Sequence, residues 1–217
     1  MNKLSSQPML PWVLVALLVA NILPEVMLQL ADRGVMGPIW LRALVYRLAT
    51  FQRDLIATGG PLFPGQTLAM FFTYGFVHTG LGHLAVNMAG LIWLGRILLR
   101  WRTTGTFVIF YAMGLVGAAE VFALIGPAGG AVTGASGALF ALLGVYVVDT
   151  GLLSPQQGEA AWGGPVVRII LATVILALAD VASQQVLGSA VAWQAHAGGF
   201  ATGALMALAA PPRYKYP

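Results

Sequence analysis

The chain has 217 residues, of which 59% are hydrophobic and only 8% charged, against about 25% charged in soluble domains. That excludes a soluble globular domain and implies an all-α polytopic membrane protein with nearly all of its length in spans. The net charge of +4 comes from scattered basic residues, which excludes the clustered stripe of a nucleic-acid binder, and the absence of cysteine excludes disulfides, thiolate metal sites and a cysteine nucleophile.

A span needs about 20 apolar residues, and the chain offers six such stretches in one domain, 1–217. The first is expected at 10–30, after Lys3. Asn21, Pro24 and Glu25 within it, and the lack of a small-x-small cleavage site, make it a retained span rather than a signal peptide. The second, at 80–99, starts near His83 and ends at Arg96, Arg100 and Arg102. The third, at 104–125, contains Glu120, for which only a structural hydrogen bond is expected. A glycine- and proline-rich turn at 126–130 leads to the fourth, at 133–150, which ends at Asp149. The fifth, at 165–182, is bounded by Arg168 and Asp180, and the sixth, at 192–210, is closed by Pro211 and Pro212.

With the N-terminus inside, Lys3, Arg96, Arg100, Arg102, Arg168, Arg213 and Lys215 fall on the inner side, as the bias of short loops requires. The segment 31–77 would then lie outside although it holds Arg33, Arg42, Arg47 and Arg53. It is expected to be a long membrane-associated loop between the first two spans. Trp40, Leu44, Leu48 and Phe51 recur there at helical spacing, with Arg42 and Arg53 on another face, which suits a membrane interface. An ordinary solvated loop helix is the alternative.

Three segments carry chemistry-bearing residues. His83 and Asn87 are four apart, so a helix puts both donors on one face. His78 lies five before His83, about 140° around a regular helix. With no His-Glu-x-x-His in the chain, no metal is expected. Gly134-Ala135-Ser136-Gly137 alone reads as close helix packing. Ala138 prevents a Gly-x-Ser-x-Gly elbow. His196 precedes Gly199 and Gly203, a Gly-x-x-x-Gly face that lets its helix approach a neighbour closely. If that neighbour is the fourth span, His196 can reach Ser136.

Together these segments resemble the rhomboid family of intramembrane serine proteases. The match runs from Thr73 to His78, through His83-x-x-x-Asn87 and Gly134-Ala135-Ser136-Gly137, to Ala195-His196-x-x-Gly199-x-x-x-Gly203. The resemblance implies a Ser–His dyad without a third acidic member, with Ser136 as nucleophile and His196 as base. It implies an oxyanion hole of His83, Asn87 and the Ser136 backbone N–H, with His78, Gly134, Gly137, Phe140, Gly199 and Gly203 in support. It implies that 31–77 is embedded beside the site and that water enters from the outer face. No cofactor is implied. The partners implied are single-span membrane protein substrates and the lipid bilayer, and the location a bacterial plasma membrane.

The chain departs from the family pattern in three places. Ala69 and Met70 stand where a Trp-Arg pair is usual, Leu99 replaces a glutamate, and Phe140 replaces a tyrosine under the histidine. The first two put the anchoring of the loop in question; a phenylalanine ring can still stack on an imidazole. Two other classes remain as alternatives. One is a non-catalytic rhomboid-like protein that escorts membrane helices, whose signature is loss of Ser or His. The other is a small transporter, against which the lack of symmetry between the chain halves argues.

Overall fold

A computed structural model describes residues 10–58, 60–153, 167 and 192–212. The fifth expected span, with Arg168 and Asp180, lies outside the described residues except for Val167, as do Lys3, Arg213 and Lys215. The fold is mostly helical. Its elements are α1 (Trp12–Asp32), α2 (Leu41–Ala49), β1 (Phe51–Gln52), α3 (Arg53–Thr58), α4 (Gln66–Thr73), a 3-10 turn (Tyr74–Phe76), α5 (Leu81–Leu98), α6 (Thr104–Ile125), β2 (Ala131–Val132), α7 (Ser136–Leu153) and α8 (Trp193–Ala209). Among the described residues, α1, α5 and α6 are long and apolar enough to cross a membrane. Helices α7 and α8 occupy the fourth and sixth expected stretches.

The centre of the bundle is a seam of small residues. In lipid, apolar side chains gain nothing by leaving their solvent, so helices associate through close packing of their backbones. A methyl group on Gly199 would collide with the Gly137 carbonyl, and one on Gly203 with the Ala141 carbonyl. Gly144 faces the Phe200 carbonyl in the same way. On the other side, Gly114 packs on Ala138 and Ala141, Gly117 on Thr202, and Gly198 on Gly117 and Val121. Helices α6, α7 and α8 therefore touch backbone to backbone. Helix α5 is added through Gly90 against Leu139, and α1 through Leu14 against Gly95.

These contacts fix the sense of each helix. Helices α5, α7 and α8 start at one end of the bundle, while α1 and α6 run the opposite way. The far end is tied by a buried ion pair. Arg102 Nη2 meets Asp149 Oδ1, Arg102 Nε lies 2.8 Å from Asp149 Oδ2, and Trp101 Nε1 donates to the same oxygen at 2.7 Å. Arg102 Nη1 also donates to the Ala210 carbonyl at the end of α8. Arg102 and Asp149, read from sequence as charges that end spans, are thus partners buried inside the bundle.

The segment 31–77 differs from its expected form. Helix α2 stops at Ala49, because Thr50 turns extended and its Oγ1 donates back to the Tyr46 carbonyl at 2.6 Å. The chain continues into β1, which pairs antiparallel with β2, Phe51 opposite Val132. Phe51 is fully buried, its ring edge-on to Phe71 at 5.1 Å and to Tyr74 and Phe122. Trp40 precedes α2 and is exposed. The four residues therefore do not form one helical face.

Nor do the arginines line another face. Arg53 donates to the Ala123 and Gly126 carbonyls, at 2.9 and 2.6 Å, which closes the C-terminus of α6. Arg42 reaches back to α1, both terminal nitrogens 3.1 Å from the Glu25 carboxylate and its Nε 2.7 Å from Asp32. The anchoring left open by Ala69 and Met70 comes from other residues. Buried Gln66 donates to the Arg47 carbonyl at 2.7 Å and accepts from the Leu62 N–H at 2.6 Å, and Thr73 Oγ1 donates to the Ala49 carbonyl at 2.8 Å. Met70 fills the core beneath them. Glu120 is exposed on α6 and makes no hydrogen bond among the described residues.

Candidate active site

Ser136 is the first residue of α7, and the turn before it dictates where its side chain points. Gly134 holds φ at 92°, a left-handed conformation that favours glycine, and its N–H donates to the Tyr74 carbonyl at 2.9 Å. A methyl group at Gly134 would also lie 2.6 Å from His83 Cε1. Backbone conformation and lack of space thus demand the same residue. Ala135 is fully buried and Ser136 half-buried.

His196 lies in the first turn of α8, and its Nε2 is 2.9 Å from Ser136 Oγ. The alignment follows from the glycine seam. Gly199 sits on Gly137 and Gly203 on Ala141, two contacts four residues apart that leave α8 no freedom to slide along α7. Phe140, one turn beyond Ser136, lies under the imidazole with ring centroids 4.0 Å apart and planes within 7°. The ring plane is therefore set by stacking.

His83 and Asn87 approach from α5. A methyl group at Gly134 would be 2.7 Å from His83 Nε2 and 3.2 Å from Asn87 Nδ2, so both nitrogens face the turn that carries Ser136. Asn87 Nδ2 is buried and has no hydrogen-bond partner among the described residues. His83 Nδ1 pairs with Thr79 Oγ1 at 3.2 Å. The His78 ring is fully buried and meets the His83 ring edge-on at 5.1 Å. Burial first, and the neighbouring His83 second, push the His78 pKa down to about 4, so its imidazole is neutral near pH 7. Among the described residues no three His, Asp or Glu side chains converge as a metal site.

Ser136, His196, His83 and Asn87 line one cavity of about 1090 Å³. Its wall passes Phe140 and Leu139 and reaches Tyr46, Arg47 and Gln52 on the α2–β1 side. Ser136, His83 and His196 are each only half-buried.

Two contributors escape a reading of the sequence. Tyr74 holds Gly134 through its carbonyl, donates its hydroxyl to the Leu115 carbonyl at 2.8 Å and packs on Gly137. Nothing in the sequence marks it apart from its place inside the Thr73–His78 element. The Glu25–Arg42 pair is the other. A carboxylate in an apolar span does signal a hidden partner, but the partner lies 17 residues away on another helix.

The Rhomboid domain model matches residues 65–213, from α4 past the end of α8, and so includes every residue brought together around the cavity by α5, α7 and α8. No curated protein matches the sequence. With its apolar helices and a family match over more than half its length, the protein is an integral membrane protein and belongs to the rhomboid family.

Proposed function

We propose that this protein is an intramembrane serine endopeptidase that cleaves single-span membrane proteins within or beside their membrane helices. The observation that carries the reading is the 2.9 Å contact between Ser136 Oγ and His196 Nε2 inside a cavity also lined by His83 and Asn87. A serine hydroxyl is a weak nucleophile until a base takes its proton. His196 accepts that proton as Oγ attacks the substrate carbonyl. The tetrahedral oxyanion then takes hydrogen bonds from Asn87 Nδ2, His83 Nε2 and the Ser136 backbone N–H, one of the amides a helix N-terminus leaves unpaired. His196 passes the proton to the leaving amine, and an acyl-enzyme remains on Ser136. Water, deprotonated by His196, attacks the ester and releases the new carboxylate.

The same reading places the whole chain, 1–217, in one six-span domain with the 31–77 segment as a membrane-associated loop. It sits in a bacterial plasma membrane with its N-terminus cytoplasmic and its cavity toward the outer face. A substrate helix must unwind locally to present a peptide bond, because a helical carbonyl is already hydrogen-bonded.

Covalent labelling by a fluorophosphonate, with cleavage of a single-span reporter in liposomes, tests this. The wild type is expected to label at Ser136 and to cleave. Ser136→Ala and His196→Ala are expected to do neither while remaining folded. Cleavage by purified Ser136→Ala would overturn the assignment. A wild type that neither labels nor cleaves would make this a helix-binding member of the family.

A further inference from the structure

His83 is held at its second nitrogen by a residue that the catalytic scheme does not use. Thr79 places its hydroxyl 3.2 Å from His83 Nδ1, and Nε2 on the other side of the ring faces Gly134. A neutral imidazole has one N–H and one lone pair, and a hydroxyl at Nδ1 can meet either, donating to the lone pair or accepting from the N–H. A hydroxyl that donates to Nδ1 puts the ring proton on Nε2. Only that tautomer offers a donor toward Ser136. The other would direct a lone pair at a developing negative charge.

The turn that carries Thr79 is itself fixed from two other helices. The His78 carbonyl, the group immediately before Thr79, accepts from Tyr46 Oη at 2.9 Å and from Arg42 Nη1 at 3.2 Å. Arg42 is held by Glu25, fully buried on α1, whose other carboxylate contact is Gln29 Nε2 at 2.7 Å. A buried carboxylate is stable only when paired, which ties the guanidinium to one place. The contacts run without a break from α1 through Arg42, the 78–79 peptide and Thr79 to His83.

We propose that Thr79 is a positioning residue that selects the Nε2–H tautomer of His83, on a turn that Arg42 and Tyr46 hold in place. The inference rests on the protease reading for its kinetic consequence but not for its spectroscopic one. The chain has three histidines, so ¹⁵N-histidine NMR of the full protein in detergent resolves the His83 ring once a His83→Ala spectrum assigns it.

At neutral pH the wild type is expected to show the proton of His83 on Nε2, and Thr79→Val a mixture of tautomers. In liposomes Thr79→Val should lower kcat about tenfold, since one donor of three is impaired, with KM and Tm unchanged. Thr79→Ser should restore both spectrum and rate. A wild-type His83 protonated on Nδ1, or a Thr79→Val protein with the wild-type spectrum or unchanged kcat, would overturn the inference. A wild type that fails to cleave or label overturns the protease reading instead, and the spectrum still decides the role of Thr79.

Discussion

Asn87 Nδ2 is a buried donor with nothing in the described protein to donate to. Such a group costs about 1–3 kcal/mol unless something satisfies it, and an oxyanion that exists only in the transition state would do so. Asn87→Ala should therefore lower kcat, by roughly 10–100-fold because other donors remain, and leave KM nearly unchanged. Combined with His83→Ala the losses should be less than additive if both serve one oxygen. Steady-state kinetics in liposomes decide it, and a loss confined to KM would return both residues to a structural role. His78 gives a prediction of a different kind. Its pKa is held at about 4 against an ordinary 6.5, so between those values the unfolded chain binds more protons than the native one. Stability should fall as pH drops through that window, and His78→Gln should flatten the slope of Tm against pH. At this scale the sequence was informative where residues act within one short motif. Ser136, His196, His83 and Asn87 each stand in a recognisable local pattern. Tyr74, Arg42 and Thr79 do not, because each acts on a group whose importance appears only after folding.

Helix α8 shows how an element is positioned by what it lacks. Gly199 and Gly203 bring its backbone against the Gly137 and Ala141 carbonyls, and this places His196 opposite Ser136. Gly199→Val should push α8 off α7. Overpacking of this kind costs about 1–3 kcal/mol, so Tm should fall. Fluorophosphonate labelling should fall further than the folded fraction does, since the imidazole is lifted from the hydroxyl. Unchanged Tm and labelling would contradict the seam. The Gly-x-x-x-Gly spacing made this face legible, and apolar runs placed α1, α5, α6, α7 and α8 to within a few residues. The 31–77 segment was not legible for a physical reason. Its residues follow helical spacing through Leu48, but Thr50 breaks the helix and the pairing of Phe51 with Val132 spans 81 positions, beyond what any local periodicity encodes.

The whole molecule is polar along its axis. The N-termini of α5, α7 and α8 gather at the cavity, so the positive ends of three helix dipoles face the place where negative charge would develop. Arg42 and Arg53 are committed within the fold, to Glu25, Asp32 and the end of α6. At the opposite end Arg102 is committed to Asp149. The pair at that far end separates stability from chemistry. Asp149→Leu leaves a buried guanidinium uncompensated and should cost about 3–5 kcal/mol, whereas adding Arg102→Met should recover most of it, because two apolar groups satisfy the site as well as two paired charges do. Thermal unfolding in detergent of both singles and the double measures the coupling. The double variant should cleave and label like the wild type, since the pair lies at the end of the bundle opposite Ser136. A double variant as unstable as Asp149→Leu would mean that the ion pair specifies the packing of α7 and α8 rather than merely tolerating burial.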